Sequence, residues 1–229
     1  MRVAVVTFPG SNCDADAVHV ASNLLGVDAG LVWHQDVELP IETGLVILPG
    51  GFSYGDALRS GAIARFSPVM AAVRRFAEAG GLVLGICNGF QVLVESGLLP
   101  GAMLQNASQK FVCRMVTVEV ATDRDTPFTR GLAPGDRLRI PVAHHEGRWF
   151  VAPEALARLE AEGQVAFRYL EGSDPNGSVG RVAGILDASR RVLGMMPHPE
   201  RAAEPILGSD DGLKLFRSAV TSLAEEARG

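Results

Sequence analysis

A length of 229 residues suits one domain and can bury a large core without disulfides or metal ions. Hydrophobic residues make up 47% of the chain and charged residues 21%, which is the composition of an ordinary globular protein. The formal net charge of −5, with no run of Lys and Arg, gives no electrostatic footprint for nucleic acid or an anionic membrane.

The sequence predicts no targeting or membrane segment. The apolar run at residues 3–8 is too short for a secretion signal, and no apolar stretch reaches transmembrane length. We therefore expect a cytoplasmic protein, whose cysteines remain thiols because that compartment is reducing. Cys13, Cys87 and Cys113 lack paired zinc spacing, so each is either buried apolar filler or a nucleophile.

Strands and helices alternate along the first half of the chain. Continuous apolar runs, typical of parallel strands covered on both faces, predict strands at residues 2–8, 31–33, 44–48 and 82–86. Helical spacing and boundary residues, Ser67 as an N-cap among them, predict helices at residues 14–25, 67–79 and 88–96. In such a doubly wound sheet, ligands lie beyond the carboxyl ends of the strands.

After about residue 110 the strands alternate more and are expected to pair antiparallel. They are predicted at residues 111–121, 137–142, 165–170, 182–186 and 192–196. Helices are predicted at residues 153–162 and 211–227, and an exposed loop at residues 171–180. The sequence thus predicts one α/β domain, residues 1–229. Its core is a doubly wound, mostly parallel, flavodoxin-like sheet with helices on both faces and additional antiparallel strands in the C-terminal half.

A cysteine stands between the fourth predicted strand and the next helix. The segment Gly85-Ile-Cys-Asn-Gly89 is the cysteine counterpart of a G-x-S-x-G nucleophile elbow, whose sharp turn requires small residues around the nucleophile. The sulfur of Cys87 would stand at a helix N-terminus, where partial positive charge favours the thiolate. The N–H of Asn88 is placed to donate to a developing oxyanion. The alternative is a buried structural cysteine in a glycine-rich turn.

A proline and two glycines end the neighbouring strand. Pro49-Gly50-Gly51 is flexible backbone that can direct a second N–H, that of Gly51, at the oxyanion. A phosphate-binding loop is a rival interpretation, but the segment lacks the G-x-x-x-x-G-K-[ST] form and its lysine. A simple tight turn is the third interpretation.

Two prolines bracket His198 and stiffen its segment. In an extended segment, residues i and i+2 point the same way, so Glu200 is predicted to hydrogen-bond one imidazole nitrogen and leave the other for Cys87. This is the arrangement of a catalytic triad with sulfur in place of oxygen. The alternative is a His and a Glu on a surface turn.

Taken together and in order, these motifs resemble the class I, triad-type glutamine amidotransferases. A narrower likeness is to the glutaminase subunits of phosphoribosylformylglycinamidine synthases, which serve purine biosynthesis. Four segments carry it: Pro9-Gly-Ser-Asn-Cys-Asp14, Gly50-Gly-Phe-Ser-Tyr-Gly-Asp56, Cys87-Asn-Gly-Phe-Gln91 and Met196-Pro-His-Pro-Glu-Arg201. The likeness spans nearly the whole chain, and only the complete set is specific.

The resemblance implies a role for each matching residue. The catalytic residues are the nucleophile Cys87, the acid and base His198, and Glu200, which orients His198. The oxyanion and substrate site is implied at Gly50, Gly51, Asn88 and Gln91. For Gln91, an exposed helix glutamine is an equally simple interpretation.

The resemblance also implies partners. Ammonia released from the glutamine substrate would pass to a large synthetase subunit that binds ATP, magnesium and formylglycinamide ribonucleotide, and a small subunit often bridges the two. The chain itself is expected to hold no cofactor and no metal ion, and to bind neither nucleic acid nor membrane. The alternatives are a glutaminase serving another synthetase, a cysteine hydrolase of similar fold, and a non-catalytic flavodoxin-like binding module.

One segment departs from the family pattern. In His144-His-Glu-Gly147 a second imidazole, that of His145, stands where the family usually has glycine, so the conformation of this loop is left open. A metal site is not expected there, because adjacent residues rarely face one ion. Cys13 and Cys113 are expected to be structural rather than reactive.

Overall fold

Eleven strands and five α-helices form the part of the chain that the computed structural model describes, residues 1–228. The strands are β1 (Arg2–Thr7), β2 (Asp28–Trp33), β3 (Thr43–Leu48), β4 (Leu82–Ile86), β5 (Ala102–Leu104), β6 (Val112–Val120), β7 (Arg137–His144), β8 (Arg148–Phe150), β9 (Val165–Tyr169), β10 (Val182–Leu186) and β11 (Val192–Met195). The helices are α1 (Asp14–His19), α2 (Pro68–Glu78), α3 (Asn88–Glu95), α4 (Pro153–Ala161) and α5 (Leu213–Glu226).

Nine strands form one mixed sheet, in the order β2-β1-β3-β4-β11-β10-β9-β6-β7. The first five strands in this order are parallel. The apolar runs of β1, β3, β4 and β11 are buried because helices cover both faces, whereas the edge strand β2 buries only Val32. Right-handed crossovers run one way from β1 through α1 to β2 and the other way from β3 through α2 to β4, which places α1 and α2 on opposite faces. The predicted doubly wound fold is confirmed.

From β11 onward the pairing is antiparallel, as predicted for the C-terminal half. The antiparallel strands β10, β9, β6 and β7, here called the antiparallel wing, curl back over the carboxyl ends of the parallel strands. Although β7 is the outermost strand, its Pro141 carbonyl accepts a hydrogen bond from the His198 N–H at 2.8 Å. The carbonyl of Ala143 lies 3.7 Å from the sulfur of Cys87. The curl therefore encloses the residues that follow β4 and β11.

The structure differs from the sequence predictions in a few places. Strands β5 and β8 were not predicted, because three residues each are too few to show a period. The predicted exposed loop at residues 171–180 is partly buried, since Asn176 donates to the Gly147 carbonyl at 2.8 Å. Ser67 precedes α2 as predicted, but its hydroxyl bonds the Tyr54 hydroxyl at 2.9 Å instead of capping the helix.

Two glycines allow the chain to turn sharply from β4 into α3. A Cβ on Gly89 would overlap the carbonyl oxygen of Leu48 at the end of β3. A Cβ on Gly85 would lie 2.8 Å from the backbone carbonyl of Gly89. Small residues are therefore required on both sides of Cys87, as the elbow motif predicted.

Among residues 1–228, no helix has both the length and the apolar character needed to cross a bilayer.

We expect Gly89→Ala to lower the free energy of unfolding by about 3 kcal/mol or more, because the new methyl group has no space beside Leu48. In a solvent-exposed helix the same change stabilises by about 1 kcal/mol, so a loss of stability would show that the methyl group clashes. Urea unfolding measures the difference. Gly80→Ala is the control: its Cβ meets nothing within 4 Å, and only its positive φ of 87° costs about 1 kcal/mol. Equal losses for the two variants would contradict the packing argument.

Candidate active site

Cys87 lies on the strained turn between β4 and α3. Its φ of 49° and ψ of −102° fall in a region that L-residues rarely adopt, at a cost of about 1–3 kcal/mol. The side chain is only 5% exposed. Such strain persists where surrounding structure enforces it, and here the packing of Gly85 and Gly89 enforces it. The turn holds the sulfur at the first turn of α3.

Two backbone N–H groups are available beside the turn. The N–H of Asn88 is in the first turn of α3 and has no partner within the helix. No hydrogen bond from the N–H of Gly51 or of Asn88 to another protein atom is found within residues 1–228. The two segments are joined, because the Ser53 N–H donates to the Asn88 side-chain oxygen at 3.2 Å. Donors for an oxyanion are therefore free on both segments.

The N-terminal motif packs directly on the glycines after β3. The Phe52 N–H donates to the Gly10 carbonyl at 2.9 Å, and the Cys13 N–H donates to the Gly50 carbonyl at 3.3 Å. Gly51 has a φ of 144°, and a Cβ there would lie 2.8 Å from the Gly10 oxygen. Glycine is therefore required at residue 51, which explains why the motifs at residues 9–14 and 50–56 occur together.

His198 and Glu200 form a buried pair after β11. The imidazole Nδ1 lies 2.6 Å from Glu200 Oε1, and both side chains are at most 3% exposed. The pairing was predicted, but its local geometry was not. Pro199 begins a short 3-10 turn, Pro199–Arg201, where an extended segment was expected. The turn still brings residue i+2 to the imidazole, and the His198 N–H is fixed by Pro141.

The electrostatics of this pair favour the imidazolium. Burial opposes the charged form, but the negative charge of Glu200, with further contributions from the neighbouring cysteines Cys87 and Cys13, raises the pKa of His198 well above its ordinary value. The other nitrogen, Nε2, is buried and has no hydrogen-bond partner within residues 1–228. The thiol of Cys87 is directed instead at the Ala143 carbonyl. The structure thus brings Cys87, His198 and Glu200 together, and Nε2 is the imidazole nitrogen that makes no hydrogen bond within the described residues.

The side chains of Asn88 and Gln91 join α3 to the loop after β7. Gln91 is 4% exposed, so the interpretation as an exposed helix glutamine is wrong. Its amide donates to the Glu146 carbonyl at 2.7 Å and accepts from the Asn88 amide at 3.0 Å. Substrate contact by Gln91 therefore stays a prediction. Beside them, burial and the charge of Glu146 raise the pKa of Asp56 to about 6.

Cys13 is the site residue that the sequence did not reveal. Its sulfur lies 3.7 Å from His198 Nδ1, on the side of the imidazole that carries Glu200. A Cβ on Gly50 would lie 2.9 Å from this sulfur and 2.5 Å from the imidazole, so Gly50 leaves room for both. The place of Cys13, just beyond the carboxyl end of β1, was the signal available in the sequence. Cys113, by contrast, is exposed.

A second buried imidazole, that of His144, lies near His198. Asn106 donates through its amide nitrogen to the carbonyls of Lys110 and His144, and its oxygen accepts from the Gly147 N–H. That oxygen lies 3.0 Å from His144 Nδ1, so Nδ1 must carry the proton. Burial, and then the positive charge of His198, lower the pKa of His144 to about 4. His144 is therefore neutral near pH 7.

The added imidazole of His145 does not strain its loop. Its backbone φ is not positive, and its Nε2 lies 3.3 Å from the Gln109 carbonyl. The loop therefore accepts a side chain at the position where the family usually has glycine.

Comparisons with known proteins agree with this geometry. The chain matches the family model of the CobB/CobQ-like glutamine amidotransferase domain over residues 1–221. It is 56% identical over 224 residues to the Cereibacter sphaeroides protein named phosphoribosylformylglycinamidine synthase subunit PurQ, covering 98% of this chain and 99% of that protein. The Rubrobacter xylanophilus protein of the same name is 56% identical over 220 residues, covering 96% and 98%.

The chain is also similar to solved structures over nearly its whole length. A chain of the structure of PurLQS from Thermotoga maritima is similar with a TM-score of 0.87 and 44% identity, covering 97% of this chain and 98% of that one. A glutamine amidotransferase from Thermotoga maritima has a TM-score of 0.64 and 17% identity, covering 98% of each chain. The second likeness concerns the fold alone.

The lowered pKa of His144 predicts a loss of stability in acid. Its folded pKa of about 4 lies below the ordinary 6.5, so the unfolded chain binds this proton first as the pH falls. Stability from this group is full above about pH 6.5 and falls by about 3 kcal/mol toward pH 4. His144→Gln, which keeps a donor for Asn106, should lose this component of the pH dependence in urea unfolding. His145→Gln is the matched control, and an identical effect of both variants would contradict the assignment.

Proposed function

The chain belongs to the CobB/CobQ-like glutamine amidotransferase domain family, and on that premise we propose that it is the glutaminase subunit of a phosphoribosylformylglycinamidine synthase. It would hydrolyse glutamine to glutamate and ammonia and deliver the ammonia to a synthetase subunit. Support comes from near-complete coverage of curated relatives of this name and from a structural relative within PurLQS. The same comparisons confirm the resemblance inferred from the four sequence motifs.

One observation carries the proposed chemistry. The Nδ1 of His198 is held by Glu200 at 2.6 Å, so the unpartnered Nε2 is the nitrogen available to Cys87. A cysteine that attacks an amide needs a base to take its proton and a carboxylate to orient that base, and together the three groups form a catalytic triad. We assign these roles to Cys87, His198 and Glu200. The raised pKa of His198 favours its imidazolium form, which is the general acid that the departing ammonia requires.

In the first stage, the thiolate of Cys87 attacks the side-chain carbonyl carbon of glutamine and forms a C–S bond. Negative charge then develops on the carbonyl oxygen, and the N–H groups of Gly51 and Asn88 are the proposed donors. Imidazolium His198 gives its Nε2 proton to the departing nitrogen, and the C–N bond breaks to release ammonia. A glutamyl thioester remains on Cys87.

In the second stage, neutral His198 takes a proton from a water molecule that attacks the thioester carbon. The C–S bond breaks, glutamate leaves, and the thiolate–imidazolium pair is restored. Gly50 contributes by leaving space for the imidazole. Gln91 is proposed to define the substrate site, either by direct contact or by holding the 144–147 loop through the Glu146 carbonyl.

Ammonia transfer explains why such a subunit needs partners. Ammonium is not nucleophilic, so ammonia must reach the acceptor without exposure to bulk water. We propose that a large synthetase subunit, carrying ATP and magnesium, and a small bridging subunit complete the enzyme, as the name PurLQS suggests for the Thermotoga maritima relative. We further propose that the described chain is one domain, requires no cofactor or metal of its own for hydrolysis, and acts in the cytoplasm.

Mixing the chain with its synthetase subunits tests the assignment. We expect Cys87→Ala to abolish glutamine-dependent amidation of formylglycinamide ribonucleotide and to spare amidation supplied with ammonium salts, because only the nucleophile is removed. Product formation with each nitrogen source is the measurement. Loss of both activities in a correctly assembled complex would make Cys87 structural. Failure of the wild-type complex to use glutamine would exclude the proposed function.

The role of Glu200 gives a second prediction. Glu200→Gln should lower kcat for glutamine hydrolysis by about 10²- to 10⁴-fold with little change in KM, because the imidazole loses its orienting charge. Without that charge the pKa of His198 falls, so the limb of the pH–rate profile that reports His198 should move to lower pH. Glu204→Gln is the matched control, since Glu204 pairs with His19 at 2.8 Å outside the site. An unshifted profile for Glu200→Gln would refute the orienting role.

A further inference from the structure

Three side chains of metal-binding type converge at Nδ1 of the His198 imidazole, the nitrogen opposite to Nε2. Ligand atoms of Cys13, His198 and Glu200 all lie within 4.8 Å of one another, and all three residues are buried. The sulfur of Cys13 is 3.7 Å from Nδ1, and Nδ1 is 2.6 Å from Glu200 Oε1. The proposed reaction uses His198 and Glu200 but assigns nothing to Cys13.

A second observation at this cluster indicates a missing partner. The Oε2 atom of Glu200 is buried and makes no hydrogen bond within residues 1–228. The Glu200 side chain is 0% exposed, and a buried carboxylate oxygen without a partner is costly. Arg201 makes no hydrogen bond to this oxygen, and its Nε donates to Asp16 at 3.2 Å. A cation among the three side chains would supply one.

We propose that Cys13, His198 Nδ1 and Glu200 form an inhibitory site for a borderline-soft divalent cation, of which Zn²⁺ is the representative. One sulfur, one imidazole nitrogen and one carboxylate oxygen are a typical three-residue donor set for zinc, with water as the fourth ligand. Bond lengths of about 2.0–2.3 Å in a tetrahedron separate ligand atoms by about 3.3–3.6 Å. The sulfur–nitrogen distance of 3.7 Å already suits this geometry. The 2.6 Å between Nδ1 and Oε1 is too short for two ligands of one ion, so the carboxylate must move away from Nδ1 on binding.

Binding of the divalent cation balances in charge and in protons. The cation replaces the Cys13 S–H proton and the His198 Nδ1 proton, which pass to solvent. Thiolate and carboxylate then neutralise the charge of +2, so no uncompensated ion is buried. Because protons are released, binding should weaken as the pH falls. Entry requires the Asn12–Cys13 segment to lift from Gly50, to which its two backbone hydrogen bonds are long, at 3.4 Å and 3.3 Å.

Inhibition follows from the tautomer of His198. With a metal on Nδ1, the remaining imidazole proton lies on Nε2, the nitrogen that the proposed mechanism uses as acid and base. That nitrogen then has no lone pair with which to activate water, and its N–H is a poorer acid than imidazolium. This consequence rests on the proposed function, whereas the binding site itself rests only on the positions of the three side chains.

Cobalt absorption tests the site without any measurement of catalysis. Co²⁺ replaces Zn²⁺ and gives a thiolate charge-transfer band when sulfur is a ligand. The full chain carrying Cys87→Ala is the reference protein, because it removes the catalytic thiol as a competing ligand. We expect this protein to show the band, to release protons on binding, and to lose the band when Zn²⁺ is added. Adding Cys113→Ala should leave the band unchanged, since Cys113 is exposed and remote from the cluster.

Adding Cys13→Ala to the same reference protein should abolish the band. If that double variant fails to fold, as judged by circular dichroism, Cys13→Ser takes its place, and the band should again be absent. A band that survives either substitution, or that is absent from the Cys87→Ala reference, overturns the proposal. These outcomes do not depend on whether the chain is a glutaminase.

The inhibitory consequence is tested in the assembled enzyme with Cys87 intact. Zn²⁺ should inhibit glutamine-dependent synthesis by the wild type, and about 10- to 100-fold more Zn²⁺ should be needed for Cys13→Ser. Ammonia-dependent synthesis serves as the control for metal effects on the synthetase. Equal sensitivity of wild type and Cys13→Ser would show that inhibition arises elsewhere, at Cys87 for example.

Discussion

The buried pair of His198 and Glu200 is the constraint on which the rest of the site depends. Both side chains are at most 3% exposed and 2.6 Å apart. Buried ion pairs rarely improve stability over apolar residues, since the desolvation of two charges offsets their attraction. A fold that keeps such a pair must hold it in one geometry, and this one does so with the Pro141 carbonyl, the glycine at residue 50 and the closely packed Cys13.

The need to enclose the His198–Glu200 pair accounts for the curled shape of the nine-stranded sheet. A flat nine-stranded sheet would place β7 far from β4, yet Ala143 on β7 reaches the Cys87 sulfur. The antiparallel wing therefore curls over the carboxyl ends of the parallel strands, where ligands of doubly wound folds bind. Parallel strand β4 supplies Cys87, the proposed nucleophile, and its rigid turn, and the antiparallel strands supply the opposite wall of the site. The N-terminal half of the chain thus positions the Cys87 thiol, and the C-terminal half encloses it.

Most of the fold and the three proposed catalytic residues could be predicted from the sequence. Apolar periodicity located every strand of the main sheet to within a few residues. Among the described strands, only the three-residue strands β5 and β8 were not predicted. The glycines around Cys87 identified the elbow because its backbone tolerates nothing larger. Gln91 was harder, since its helix position does not reveal that the 144–147 loop buries it.

The sequence by itself determined the strands of the main sheet and the positions of the α-helices, because their apolar periodicity depends on neighbouring residues. It also marked Cys87 and His198, through the glycines and prolines beside them. Tertiary structure alone decided which side chains share the site. Cys13 and His198 are 185 residues apart, and they meet only because loop packing on Gly50 brings the ends of β1 and β11 together. The proton on His144 Nδ1 is likewise set by Asn106, 38 residues away. Contacts at such separations follow from strand order and loop packing, which local patterns do not encode.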